Sequence, residues 1–175
     1  MNLHTLKQLE DIKAEHAPII EQLQKRTAQT VESALHLAGE EFRLHFEGAG
    51  FSVTGQYPGQ LGATYQTLQF RLVFDEKPRL DSFAVLTVTK DGQKQPDHSF
   101  TLTNKAYNGP RVHVTVGTPD PVQTARKSLE ESRALLASTM ELEYRIDDVA
   151  VPGKTAAQVA KGFATFGDAL REYYK

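Results

Sequence analysis

The chain has 175 residues, enough for one domain with its own core, and 39% hydrophobic with 24% charged residues is ordinary globular composition that argues against collagen-like, disordered and membrane-embedded classes. A net charge of −2 argues against a strongly electrostatic partner, and the absence of cysteine excludes disulfides, thiolate nucleophiles and Cys-ligated metal sites. The opening MNLHTLKQLEDIK mixes charges too closely for a signal peptide, and no stretch reaches the roughly eighteen apolar residues of a membrane span, so the expected location is cytoplasmic.

Residues 2–17 predict a helix, with Leu6, Leu9, Ile12 and His16 recurring every three or four positions. Pro18 then either kinks the rod or restarts it as a first-turn proline. From Ile19 to Phe46 the helical pattern continues, and at about 100° per residue its apolar positions cover roughly 200°, far wider than an ordinary surface helix needs. Such a helix requires neighbours on two sides. One is the rest of the chain; the other is expected to be a second copy or another protein. The lane Leu23, Thr30, Leu37 and Leu44 is the expected interface, and Lys13, His16, Thr27 and Thr30 along the heptad positions dilute a regular coiled coil.

Gly48, Ala49 and Gly50 predict the helix end. Strands follow at 51–56, 65–74, 82–89, 98–103 and 111–116, with residues 57–63 read as a mobile loop because of Pro58, Gly59 and Gly62. The alternation Leu68, Phe70, Leu72, Phe74 marks one half-buried strand; for 82–89, either Ala84, Leu86 and Val88 or Phe83, Val85 and Thr87 face inward. Asp120-Pro121 starts a helix whose apolar face is Val122, Ala125, Leu129 and Leu136. Residues 140–146 alternate like a strand or prolong that helix, and the capping box Thr155 to Gln158 opens a final helix through Val159, Phe163, Phe166, Leu170 and Tyr173.

Candidate chemistry is sparse. Asp148 to Thr155 has the outline of a phosphate-binding loop, but a carboxylate replaces the first glycine and Pro152 removes an amide donor. Asp75-Glu76-Lys77 lacks a second acidic ligand between Glu47 and Asp75 and reads as a charged turn. Neighbours along a strand point to opposite faces, so Asp97-His98-Ser99 is no triad. Glu41 and His45, one turn apart on the apolar arc, form a candidate polar site or a structural hydrogen bond near a helix end. Arg111 and His113, with Thr115 and Arg71, can form an anion-binding sheet face if all four share one side. The sheet region carries seven basic and five acidic groups, and Tyr57, Tyr65 and Tyr107 lie near loops, so the balance is weak for a nucleic-acid binder.

The expected architecture is α+β: a long N-terminal helix kinked at Pro18, an antiparallel meander of five or six strands, and two C-terminal helices. It is read as a single domain over 1–175, with a helical association arm 1–48, a sheet 51–116 and a helix–strand–helix segment 120–175. The leading function is a non-enzymatic, self-associating interaction module, an adaptor or chaperone-like subunit that forms a homodimer and binds another protein, with no cofactor or metal. The alternatives are a small-ligand-binding or catalytic domain with a pocket between sheet and helices, and a weak nucleic-acid-binding accessory protein.

Overall fold

The computed structural model describes residues 2–79, 82–105, 120–147 and 162–174. Among them are three helices, α1 (Leu3–Gly48), α2 (Pro121–Ala137) and α3 (Phe166–Tyr173), with one antiparallel sheet. The strands are β1 (Ser52–Gly55), β2 (Gln60–Tyr65), β3 (Leu68–Arg79), β4 (Ser82–Lys90), β5 (Gln93–Lys94), β6 (His98–Asn104), β7 (Leu142–Asp147) and β8 (Gly162–Phe163). Their order is β1-β2-β3-β4-β6-β7-β8, with β5 paired to β4, so the predicted α+β meander has eight strands rather than five or six. The chain divides into two compact units: Met1–Thr30 with Asn108–Met140, and Val31–Tyr107 with Glu141–Lys175.

Pro18 lies inside one continuous α1. The helix ends as its glycines predict. Gly50 takes φ +83°, its N–H bonds to Glu47 O at 2.9 Å, and Phe51 N–H returns to Phe46 O at 2.9 Å. This is a Schellman closure, sealed by the Phe46 and Phe51 rings 5.2 Å apart.

In the first unit, α1 meets α2 through a narrow set of contacts. Asp120 caps α2 by accepting from Val122 N–H at 2.9 Å, with Pro121 in the first turn. Leu129 is buried at the centre of the predicted α2 stripe, as is Ile12 on α1. Arg133 pairs with Glu15, and His16 Nε2 hydrogen-bonds Ser132 Oγ at 2.8 Å. Arg26 donates to Leu136 O at 2.6 Å and also to Ser138 O, closing the carbonyl end of a helix whose last turn contains no basic residue of its own.

In the second unit, the strand alternation turns one sheet face inward, in rows set by the register. Leu61, Leu72 and Leu86 form one row, Ala63, Phe70 and Val88 a second, and Phe74, Ala84, Phe100 and Ile146 a third. Against them pack Val31, Ala34, Leu35, Ala38, Phe42 and Phe46 of α1, and Phe166, Ala169 and Leu170 of α3. Tyr144 donates its hydroxyl to Ala34 O at 2.8 Å; burial, with the Glu41 charge adding to it, pushes that phenol far above its ordinary pKa.

Four local expectations are corrected. Residues 60–63, read as part of a mobile loop, and Tyr65, read as the start of the next strand, belong to β2: Leu61 and Ala63 enter the core while Gly62 between them faces outward. The turn is confined to the residues just before it, where Gly55 has φ +82° and a Cβ would stand 2.1 Å from Gln60 O. Asp75-Glu76-Lys77 is not a turn but lies within β3, where the pairing with β4 is irregular between Phe74 and Arg79. That irregularity breaks strict alternation, and Phe83 and its neighbour Ala84 are both buried. Finally, Gly162-Phe163 is a strand paired with Tyr144 and Arg145, not part of a helix. The helix starts at Phe166, where Thr165 Oγ1 accepts from Asp168 N–H at 3.0 Å. Residues 140–146, left open between strand and helix, are strand from Leu142 onward, as β7. The predicted strand 111–116, the phosphate-loop outline and the Thr155 capping box lie outside the described residues.

Candidate functional site

The broad apolar arc of α1 resolves into two stripes used in succession. Over the first unit the half-buried or buried positions are Thr5, Gln8, Leu9, Ile12, His16, Ile19, Leu23, Arg26, Thr27 and Thr30, the stripe from which His16 and Arg26 reach α2. From Val31 onward the buried positions are Val31, Ala34, Leu35, Ala38, Gly39, Phe42 and Phe46. At 100° per residue the two stripes differ by roughly 100° around the axis. Each is of ordinary width, and together they span the arc that is excessive for a helix with a single neighbour.

This places the four lane residues differently. Leu23 and Thr30 are half-buried on the α2 stripe, and the Thr30 hydroxyl is spent on Arg26 O one turn back at 2.9 Å. Leu37 and Leu44 lie on the angular continuation of that stripe into the second unit and are 58% and 68% exposed. Around them are exposed Ser33, Glu40 and Glu47, with Arg43 pairing Glu47 at 3.8 Å. Two large aliphatic side chains therefore stand two turns apart on an otherwise polar face.

Glu41 and His45 both serve the docking of α3. Glu41 Oε2 accepts from Gly167 N–H at 2.9 Å, filling a donor of the first turn of α3 in the place where the helix dipole favours negative charge. His45 is half-buried, edge-on to Phe46 at 5.0 Å, and hydrogen-bonded to the Tyr174 main chain. Its pKa is lowered by burial first and then by the nearby Arg171 charge, with the Tyr174 bond opposing both. Unfolded histidine protonates near its ordinary value, about 6.5. The folded chain resists that proton, so stability is greatest above about pH 6.5 and falls as pH drops through the interval down to the lower folded pKa. Urea midpoints measured at about pH 7.5 and about pH 5.5 should diverge more for the natural chain than for His45→Gln; equal divergence would remove His45 from the pH response.

The remaining candidates fall into structural roles. His98 turns inward beside Tyr173 and Tyr174, ring centroids 6.2 and 6.0 Å away, while Asp97 takes Thr87 Oγ1–H and Lys94 Nζ, each at 2.8 Å, and Ser99 is exposed. Tyr57 packs edge-on against Phe74 at 5.1 Å, and Tyr65 lies 5.4 Å from Phe51, so both rings are engaged by neighbouring aromatics. Arg111 and His113 lie outside the described residues. Among the described residues no group of three or more His, Asp or Glu is placed to hold a metal ion, and no helix is long and apolar enough to cross a membrane.

What sequence reasoning missed is a depression of about 270 Å³ on the outward face of β1, β2 and β3. Thr54, Gln60, Gly62, Thr64, Gln69 and Arg71 line it. The signal was present in Gly62, once that residue is placed in a strand. The protein is thus of the α+β class, and among the described residues of the second unit helices pack on one face of the antiparallel sheet while the other face carries mostly polar side chains. No family model matches the chain, and neither a curated protein nor a solved structure does.

Proposed function

We propose that the protein is a non-enzymatic interaction module, an adaptor or chaperone-like subunit, that self-associates through the outer face of α1 around Leu37 and Leu44. The observation carrying this reading is the 58% and 68% exposure of these two side chains on a helix half whose other large aliphatic and aromatic residues are mostly buried. A two-fold pairing of antiparallel helices would set Leu37 of one copy against Leu44 of the other and bury all four leucines. At about 1.5–3 kcal/mol per leucine the gain lies in the range of the about 4–15 kcal/mol that association costs, so the pairing is weak and concentration-dependent. Glu41 and His45 support this reading over a catalytic one, because both are committed to seating α3.

Light scattering across a concentration series tests it. The natural chain should pass from monomer toward dimer as concentration rises to about 1 mM, and the double variant Leu37→Lys, Leu44→Lys should stay monomeric with an unchanged circular dichroism spectrum. Leu23→Lys is the wrong probe, since Leu23 belongs to the stripe facing α2 within the chain. A natural chain that remains strictly monomeric over the series, or a double variant with the same mass profile, would defeat the reading.

A further inference from the structure

The row Thr54, Gly62, Arg71 and Thr87 crosses β1 to β4 on the outward face of the sheet. Three of these positions carry side chains and the second does not. A Cβ built on Gly62 would come within 3.2 Å of Thr54 Oγ1, so the missing side chain is what opens the depression. Over it stands Arg71, whose Nε and Nη2 both donate to Gln60 Oε1, at 2.9 and 2.5 Å. Two bonds to one acceptor fix the plane of the guanidinium but do not neutralise its charge, because the acceptor is an amide. Other arginines show the contrast: Arg43, Arg133, Arg145 and Arg171 each pair with a carboxylate. Among the described residues no carboxylate lines the depression, and Asp97, held through Thr87, is matched by Lys94.

We propose that this notch is an oxyanion site, taking the phosphate or carboxylate end of a small molecule or chain terminus on the free Nη edge of Arg71 above Gly62. A guanidinium already held in plane loses less side-chain freedom on binding, and its parallel N–H pair matches two oxygens of a carboxylate or phosphate. Thr54, Thr64 and Gln69 add hydroxyl and amide donors around the rim. An opening of about 270 Å³ admits the anionic group, but it is at the small end for a whole metabolite, so the rest of the ligand would extend into solvent.

Titration of the full chain with inorganic phosphate, with acetate, and with chloride at matched ionic strength, followed by amide and Arg71 side-chain resonances, tests the assignment. The expected result is a saturable shift at Gly62, Thr64 and Arg71 with phosphate or acetate and none with chloride, at dissociation constants of about 1–10 mM. The oxyanion giving the tighter fit identifies a phosphoryl or a carboxylate ligand. Arg71→Gln removes the charge, and Gly62→Val fills the notch with a residue that strands favour; each should weaken the response at least tenfold while the rest of the amide spectrum is retained. No saturable response by about 50 mM, or one that survives both substitutions in folded protein, overturns the site.

Discussion

Phe166→Ala is expected to destabilise the sheet-bearing unit by about 3–5 kcal/mol, the upper range for truncating one core side chain. Phe166 is fully buried, and its ring lies 4.8 Å from Phe100, 5.9 Å from Tyr144 and 6.0 Å from Phe83. Those three residues come from three different strands, so a cavity at this point loosens β4, β6 and β7 together. It also undercuts α3 itself. That helix has eight residues, too few to stand alone, and is held by the burial of Phe166, Gly167, Ala169 and Leu170 and by the bond from Gly167 to Glu41. Against total stabilities of about 5–15 kcal/mol the loss should appear as a large fall in urea midpoint, with Phe166→Leu losing markedly less. A loss below about 1 kcal/mol for the alanine variant would mean that the ring does not fill the centre of the core.

Arg26→Ala should act on the other unit. Its guanidinium holds Leu136 O and Ser138 O, two carbonyls that the end of α2 leaves without partners inside the helix. Hydrogen bonds from a charged donor contribute about 1.5–3 kcal/mol, and part of Arg26 is exposed, so about 2 kcal/mol is the expected loss. Among the described residues of this unit Ile12 and Leu129 are the buried apolar side chains, so such a loss is a large fraction of what holds the two helices together. Hydrogen exchange provides the local readout: amides of 122–138 should lose protection while those of β3, β4 and β6 keep theirs. Arg26→Met preserves much of the side-chain stem and separates packing from capping. If Arg26→Met keeps full protection in α2, the carbonyl bonds contribute nothing and the stem alone matters.

Much of the fold was legible in local pattern. The Gly48-Ala49-Gly50 stop, the Asp120-Pro121 start and the inward set Phe70, Leu72 and Phe74 all follow from one-dimensional rules, because capping, left-handed glycine and strand alternation act over a few residues. Gly62 misled because glycine is a loop signal in isolation, whereas here it lies in a strand paired on both sides and Leu61 and Ala63 supply the burial. Phe163 misled because it falls at a helical spacing from Phe166 and Leu170 by coincidence. Thr165 with Asp168 was the local start signal that competed with it.

For the candidate sites, the exposed pair Leu37 and Leu44 was visible as part of a lane, but its separation from Leu23 and Thr30 was not. Amphipathic periodicity reports which side chains are apolar; it carries no information on which neighbour covers each turn of a long helix. Local pattern was thus enough for a helical N-terminal region with an unusually wide apolar arc over 19–46, for the antiparallel sheet that follows and for the exclusion of thiol chemistry, while Pro18 left open whether the helix is one or two. Packing between distant parts of the chain supplies the rest: α1 runs unbroken through Pro18, its arc is shared between α2 on one stripe up to Thr30 and the sheet with α3 on another from Val31, Glu41 seats a helix, and Arg71 stands over a glycine-floored notch. The reason is physical: capping and alternation are set by bonds between near neighbours in the chain, whereas these roles depend on residues distant in sequence, such as Glu41 and Gly167, 126 positions apart, brought together by burial.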